Sequence, residues 1–351
     1  PMLDELSRRA WDALGPPSEP EPGIRIGRGM AAAIIPFGRM SWTHDSSSAW
    51  VGMEADGTAM VRSAAPDVGG GQPASLIAIT AEVLGLPIDR VTITPADSHM
   101  TPRAGTSTAT RQLLMSGNAT LKAAREVRNN LVAQASEMLG VPESSIELKD
   151  GEAVAADGRR LGLAEVVKGA IGSGRPVEFL AKYNAPAADI IDPHTGQGKP
   201  FNDYTFGVQV AEVEVDEETG QVGVRRFVTA FDVGKAINPA AVEGQLQGGV
   251  GMGIGDALME EVVIEEGFTR NPHLMDYKLP TTLDMPDIET VVLESGQGLG
   301  PFGAKGIGEP AVIPPRATIV NAVSDAIGVQ LREAPLTPER VYRAMRTRDD
   351  S

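Results

Sequence analysis

Residues 74–94 read ASLIAITAEVLGLPIDRVTIT. The apolar spacing over Ala74–Leu84 predicts a helix. Leu84-Gly85-Leu86-Pro87 ends it, because glycine tolerates the left-handed backbone of a helix terminus and proline cannot continue the helix. The β-branched run Val91–Thr94 then predicts a strand. The same device returns at Leu139-Gly140-Val141-Pro142, after a predicted helix from about Leu113 to Met138 and before a strand over Ile146–Lys149. Two helix–LGxP–strand units in tandem predict helices packed on one face of a sheet. This is a weak internal repeat of an α+β layer rather than a solenoid.

On the N-terminal side, Ser48–Met53 and Thr58–Ser63 predict two strands joined through Ala55-Asp56-Gly57, a hairpin signal. Leu3–Leu14 has helical spacing, with Leu3, Leu6, Ala10 and Leu14 on one side. Gly15–Gly23 (GPPSEPEPG) is too rich in proline to continue that helix and predicts an extended linker. On the C-terminal side, Pro186–Pro200 is loop-like and separates two lobes. Beyond it, Phe206–Val215 and Val222–Thr229 predict a hairpin around Glu217–Gly220, and Asp287–Leu293 alternates as a strand. Helices are expected from about Ala240, over about Ala311–Ile327, and over Pro338–Met345, where Thr337-Pro338 fits a cap followed by proline in the first turn. The expected organisation is therefore α+β in two lobes of mixed sheets covered by helices. It comprises an N-terminal helix and linker (1–23), a first lobe (24–185) and a second lobe (186–351).

Composition removes several function classes. The 351 residues, 42% hydrophobic, are enough for a sizeable core. No apolar run approaches the roughly 18–20 residues of a membrane span, and the N-terminal residues show no basic-then-apolar signal pattern, so a membrane association is not expected and the cytoplasm is the expected location. A formal charge of −16 repels nucleic-acid phosphate. Without cysteine the chain offers no disulfide, no thiolate nucleophile and no Cys-ligated iron–sulfur cluster. The four histidines are isolated in sequence, so a His-rich zinc site is not expected.

Four glycine-containing segments lie at or near predicted helix starts: Gly69–Gly71, Gly105–Arg111, Gly248–Gly255 and Gly303–Gly308. A helix N-terminus offers unpaired N–H donors and a partial positive charge, and glycine lets backbone approach a ligand closely. Four such loops point to a large anionic ligand gripped by backbone from several directions. None has the P-loop pattern, and none forms a GxGxxG fingerprint after a clear strand. Gly251-Met252-Gly253-Ile254-Gly255 lies within a helical run and reads as close helix packing.

These segments carry a resemblance. Asp67-Val68-Gly69-Gly70-Gly71-Gln72 followed by AEVLGLPIDRVTI resembles the D-x-G-Q-G segment of the xanthine dehydrogenase/aldehyde oxidase family of molybdenum hydroxylases. Gly105–Ala119 (GTSTATRQLLMSGNA) is similar to that family's pterin-binding segment. Asp232–Glu261, Asp276–Glu289 (DYKLPTTLDMPDIE) and Gly300–Ala311 (GPFGAKGIGEPA) follow in the expected order. The resemblance covers about residues 24–330 and corresponds to the C-terminal half of the family's molybdopterin-binding region. Two positions depart from the family's pattern: Gly70 stands for the glutamine of D-x-G-Q-G, and Met252 stands where glutamine is common. A GGFGGK-like segment and the substrate-pocket arginines of the N-terminal half are absent, which implies a subunit of a split enzyme or a fragment of a longer chain.

The resemblance implies a molybdopterin cofactor with molybdenum, in the cytosine dinucleotide form if the source is bacterial. The metal is held by the pterin dithiolene and by no protein ligand. The implied cofactor contacts are Gly69, Gly70, Gly71, Gln72, Ala109, Thr110, Arg111, Gln112, Met252, Gly306 and Gly308. Arg111 could hold phosphate or simply pair on the surface. Phe37 and Trp42 fall where the family places a substrate-pocket aromatic; Trp42 is the candidate for it, against the commoner reading of a packing residue.

On residue type alone Glu309 reads as a solvated turn glutamate. In the family this glutamate stands beside the metal, takes a proton from a Mo–OH group, and so lets oxygen attack an electron-poor carbon. That chemistry needs a carboxylate held close to the oxygen and screened from water, and the flanking Gly308 and Pro310 restrict its backbone. The implied function is hydroxylation of an N-heterocycle or aldehyde with water-derived oxygen. The implied partners are the N-terminal molybdopterin-binding half, an iron–sulfur subunit and, as a further candidate, an FAD subunit, with a small-molecule substrate. The alternative is a non-catalytic cofactor-holding or assembly subunit, favoured by Gly70 and Met252 and opposed by Glu309 in its motif. Asp232 and Glu243 read as structural caps or ion pairs.

Overall fold

A computed structural model of the chain describes residues 1–38, 46–94, 96–186 and 191–349. In chain order the elements are α1 (Met2–Leu14), β1 (Ile24–Phe37), β2 (Ser46–Met53), β3 (Ala59–Arg62), α2 (Gln72–Leu84), β4 (Val91–Thr94), α3 (Asn118–Leu139), β5 (Ile146–Lys149), β6 (Glu152–Ala155), β7 (Arg160–Gly162) and α4 (Leu163–Gly172). They continue with β8 (Glu178–Asn184), β9 (Asp203–Asp216), β10 (Val222–Asp232), α5 (Pro239–Leu258), β11 (Ile264–Glu265), β12 (Phe268–Thr269), β13 (Asp287–Leu293), α6 (Pro315–Ile327) and α7 (Pro338–Asp349). The architecture is α+β, with mixed sheets covered by helices.

The paired LGxP units form as expected locally. Gly85 and Gly140 both adopt left-handed backbone and close α2 and α3 through bonds to Ala81 O and Ser136 O. Pro87 and Pro142 each start a tight turn that feeds the next strand. The two strands part company, however. β4 joins the mixed sheet β4-β3-β2-β8, whereas β5 opens a separate antiparallel sheet, β5-β6-β7. Gly85 is the reason the second sheet fits: a Cβ there would collide with the Leu148 carbonyl of β5. The helix expected to begin at Leu113 starts instead with a π-helical turn, Leu113–Gly117, and α3 follows. Val51, Val61, Leu76, Ile79, Val127 and Leu131 are buried in this first core.

The second lobe is built on the sheet β1-β9-β10-β13, in which only β10 and β13 are parallel. Here the domain boundaries read from sequence meet a difference. β1, grouped by sequence with the first lobe, pairs with β9 along its whole length, Ile24 opposite Asp216 and Phe37 opposite Asp203. Strand pairing across this separation leaves no local signal. β9 is apolar on both faces. Val208 and Val210 meet Leu6, Ala10 and Leu14 of α1, while Ala211, Val213 and Val215 meet α6 through Ile319 and Val323. The extended linker expected after α1 is pinned along its length to the second-lobe sheet. Arg226 donates to Leu14 O (2.7 Å) and Pro16 O (2.8 Å), and the Ser18 hydroxyl donates to Glu212 (2.5 Å). Burial pushes the Glu212 carboxyl up, but the bonds from Ser18 and Arg226 outweigh it and hold it below the usual carboxylate range.

α6 can lie directly on β1 because alternate residues on that face are Gly27 and Gly29. A methyl at either would strike the α6 backbone at Ala322. Gly29→Ala is expected to destabilise the chain by about 1–3 kcal/mol through overpacking against backbone that cannot yield. Gly244→Ala, on the open face of α5 with no atom within 4 Å of the added carbon, should instead stabilise by about 0.5–1 kcal/mol through helix propensity. Denaturant midpoints of the two variants must move in opposite directions for this account to hold.

Candidate active site

Four segments converge on one cavity of about 330 Å³, a volume typical of ligand sites. The first is Asp67–Gln72. Asp67 Oδ1 accepts the amides of Gly69 (2.9 Å) and Gly71 (3.1 Å), which curls the glycine run so that Gly71 caps α2 in left-handed backbone. The second is Ser107–Leu113, in which Ala109 (φ 48°) and Thr110 (φ 47°) are consecutive left-handed residues other than glycine. The third is the connection from β10 into α5, where the Asn238 side chain accepts the Ala241 amide (3.2 Å) and Pro239 occupies the first turn. The fourth is Lys305–Glu309.

The fourth segment is fastened at several points. Lys305 Nζ donates to Asp232 at 2.7 Å, with both groups buried. Thr205 Oγ1 donates to Gly306 O (2.7 Å), and the Gly308 amide donates to Thr110 Oγ1 (2.8 Å). Just downstream, Gln209 Nε2 donates to Ala311 O (2.9 Å). Glu309 thus sits on backbone held on both sides, at the N-terminal edge of a short turn, Pro310–Val312. The expectation that it is screened from water is not met in this chain, because Glu309 and Gly308 are exposed on the cavity rim.

Arg111, Lys235 and Lys305 are lining residues, with Lys305 paired to Asp232 and Lys235 to Glu294 (3.1 Å), and Glu309 is the one carboxylate among the described lining residues. Arg111 is fully buried, its Nε donating to Thr106 O (3.1 Å), and burial lowers its pKa. The N-termini of α2 and α5 also open onto the cavity. Two buried amide oxygens on the lining residues Gln72 and Gln112 find no hydrogen-bond partner among the described residues. The helix N-termini suit an anionic group, and the two amide oxygens suit N–H donors of the same ligand. Among the described residues no group of three His, Asp or Glu side chains could hold a metal ion. No helix is long and apolar enough to cross a membrane, again among the described residues.

Of the residues singled out from sequence, Gly70, Gln72, Ala109, Thr110, Arg111, Gln112, Gly306, Gly308 and Glu309 meet in this cavity. Gly69 and Gly71 flank it, with Gly69 O accepting from the lining residue Gln245 (3.4 Å). Met252 does not reach it. The inward stripe of α5 is Val242, Leu246, Val250 and Gly253, so Met252 points to solvent. Gly248–Gly255 is likewise inside α5 rather than at a helix start, and Gly249 and Gly253 admit Ala311 and Pro315 to close packing. Phe37 is fully buried against Leu114, Met115 and Ala185 and lines no part of the cavity. The pleat of β1 turns it inward. Trp42 lies outside the described residues. Sequence reading missed Asn238, Gln245 and Lys305 in the wall and Thr205 and Gln209 behind it. Asn238-Pro239 carries a visible cap signal. Thr205 and Gln209 are polar residues within an apolar strand, which is the signal they left.

The sequence profile of the family described as "Molybdopterin cofactor-binding domain" matches residues 7–286. The chain is 32% identical over 320 residues to the xanthine dehydrogenase molybdenum-binding subunit of Escherichia coli O157:H7, covering 90% of this chain and 42% of that protein. It is 32% identical over 349 residues to the aldehyde oxidoreductase of Megalodesulfovibrio gigas, covering 98% of this chain and 35% of that protein. Its structure matches quinoline 2-oxidoreductase from Pseudomonas putida 86 with a TM-score of 0.81 at 30% identity, over 98% of this chain and 45% of that one. The chain thus spans less than half the length of these relatives. With its cavity built from the same ordered segments that carry the sequence resemblance, it belongs to the molybdopterin cofactor-binding domain family of the molybdenum hydroxylases.

Proposed function

We propose that this chain provides part of the active site of a molybdenum hydroxylase that oxidises an N-heterocycle or aldehyde with water-derived oxygen, and that Glu309 is its base. The observation that carries this reading is the placement of Glu309, the one carboxylate among the described lining residues, on backbone fastened from both sides at the rim of a cavity onto which the N-termini of α2 and α5 open.

The residues present fit a molybdopterin, for which we favour the cytosine dinucleotide form. Gly70 and Gly306 bring backbone to the cavity wall, Arg111 and the α2 and α5 N-termini suit phosphate, and the amide oxygens of Gln72 and Gln112 suit pterin N–H groups. When bound, the cofactor would supply two-electron oxidation at the substrate carbon. Replacing C–H by C–OH with water releases two electrons and two protons, and the Glu309 carboxylate accepts one of those protons. A chain without cysteine holds no thiolate-ligated cluster, so the electrons leave to an iron–sulfur subunit and from there to an FAD subunit. The exposed Val68 (72%), Met252 (67%), Met275 (82%) and Leu283 (95%) suit burial against the complementary molybdopterin-binding half, across a permanent interface of about 2,000 Å² or more.

Metal analysis tests the reading. The assembled complex should contain molybdenum and turn over, while the purified lone chain should not retain the metal, because the chain spans less than half the length of its relatives and the N-terminal half of the cofactor cradle lies outside it. Stoichiometric molybdenum in the lone chain would overturn the shared-site proposal. Molybdenum without turnover in the complex would make this a cofactor-holding subunit instead.

A further inference from the structure

We propose that Thr110 is the positioning residue for Glu309, an inference that rests on the reading of Glu309 as base. Its hydroxyl oxygen accepts the Gly308 amide at 2.8 Å, one residue before the carboxylate and 198 positions away in sequence. The two loops also touch at a second point. Gly306 lies against the Thr110 carbonyl so closely that a Cβ would collide with it. The loop bearing the base is therefore seated on Thr110 through both a hydroxyl and a carbonyl.

The backbone of Thr110 supports the assignment independently. A β-branched residue at φ 47°, directly after Ala109 at φ 48°, occupies a region that costs energy for any side chain and most for a branched one. Such strain persists only where surrounding structure enforces it, and it concentrates at functional sites. The enforcing contacts are present. Arg111 N donates to Thr108 O (3.3 Å), Arg111 Nε donates to Thr106 O (3.1 Å), and Gln112 Nε2 donates to Ser116 Oγ (2.6 Å) at the start of the π-helical turn. Glycine would hold the same backbone without strain but would offer no hydroxyl. A threonine there aims an oxygen at Gly308 at the expense of backbone comfort.

Three substitutions in the assembled, molybdenum-loaded enzyme test this: Thr110→Val, which keeps the branch and removes the acceptor; Thr110→Ser, which keeps the acceptor; and Thr110→Gly, which removes the strain and the acceptor together. Hydrogen exchange of the peptide containing Gly308, kcat, KM and molybdenum content are read for each, with Glu309→Gln alongside. The expected result for Thr110→Val is faster exchange at Gly308 and a kcat lower by about 10²-fold, the cost of a misplacement near 1 Å, with KM and molybdenum content little changed. Thr110→Ser should restore both readouts. Thr110→Gly should lose kcat as the valine variant does while its denaturation midpoint stays at or above that of the parent. Unchanged exchange at Gly308 in Thr110→Val would overturn the proposal, as would molybdenum loss that alone accounts for the lost activity. Faster exchange with full activity per molybdenum, while Glu309→Gln is inactive, would also overturn the positioning role and leave the base in place. Full activity per molybdenum in Glu309→Gln would instead overturn the underlying reading of the base.

Discussion

Glu309→Gln should abolish turnover of the assembled enzyme while leaving its molybdenum content intact. Glutamine keeps the shape of glutamate and its capacity to hydrogen-bond, but it does not accept a proton at neutral pH. The backbone fastenings of the loop belong to Gly306, Gly308 and Ala311, so none of them is touched by the change. General-base catalysis is worth about 10²–10⁴ in rate, and the loss per molybdenum should be at least that large. A merely structural Glu309 gives a different pattern: less cofactor or a lower denaturation midpoint, with near-parental activity per metal. Activity normalised to molybdenum, measured with whichever substrate the complex oxidises, separates the two. The exposure of Glu309 in this chain makes a stability effect small by itself, since surface substitutions usually stay within about 0.5 kcal/mol.

The largest stability effect is expected one loop away. Asp232→Ala should destabilise the chain by about 3–5 kcal/mol, because it leaves the Lys305 ammonium buried without its counter-charge. Asp232 is fully buried and accepts Lys305 Nζ (2.7 Å), Ser295 Oγ (3.0 Å) and the Gly234 amide (3.0 Å). Burial pushes its carboxyl up, but the bonds from Lys305, Ser295 and Gly234 outweigh burial and hold it below the usual carboxylate range. A carboxyl lowered in this way contributes stability that is complete above its unfolded value, about 4, and is lost as pH falls through the lower folded value. The gap between parent and Asp232→Ala should therefore be constant from pH 7 to about pH 5 and shrink only below about pH 4. Asp232→Leu combined with Lys305→Met should recover most of the loss, as apolar replacements of buried pairs often do. A gap that is small at neutral pH, or one that widens on acidification, would show that the pair does not hold the loop.

How far the sequence reaches is clearest at particular residues. The ends of α2 and α3 were readable because Gly85 and Gly140 act locally: left-handed glycine closes a helix whatever surrounds it. The start of α5, expected near Ala240, was read to within a residue, and the Asn238-Pro239 cap that the reading passed over fixes it locally. The order of the glycine segments marked the cofactor-binding family, and Glu309 stood out through its own motif. Met252 and Phe37 lie away from the described cavity for the opposite reason. Which face of α5 or β1 points into the cavity depends on what packs against the other face, and those partners are distant in sequence.

By itself the sequence determined most of the longer helices and strands and, through its ordered motifs, the family, because each is written in short-range pattern; β1, β6, β7, β8 and α4 were not read from it, and the proposal of Glu309 as base rests on the family motif. Only the tertiary structure decided that β1 pairs with β9, that Asp232 faces Lys305, and that Gly308 rests on Thr110. Those contacts join residues tens to nearly two hundred positions apart. Chain-closure entropy opposes them until both cores have formed, so their geometry is set by how the layers pack and leaves no trace in local spacing.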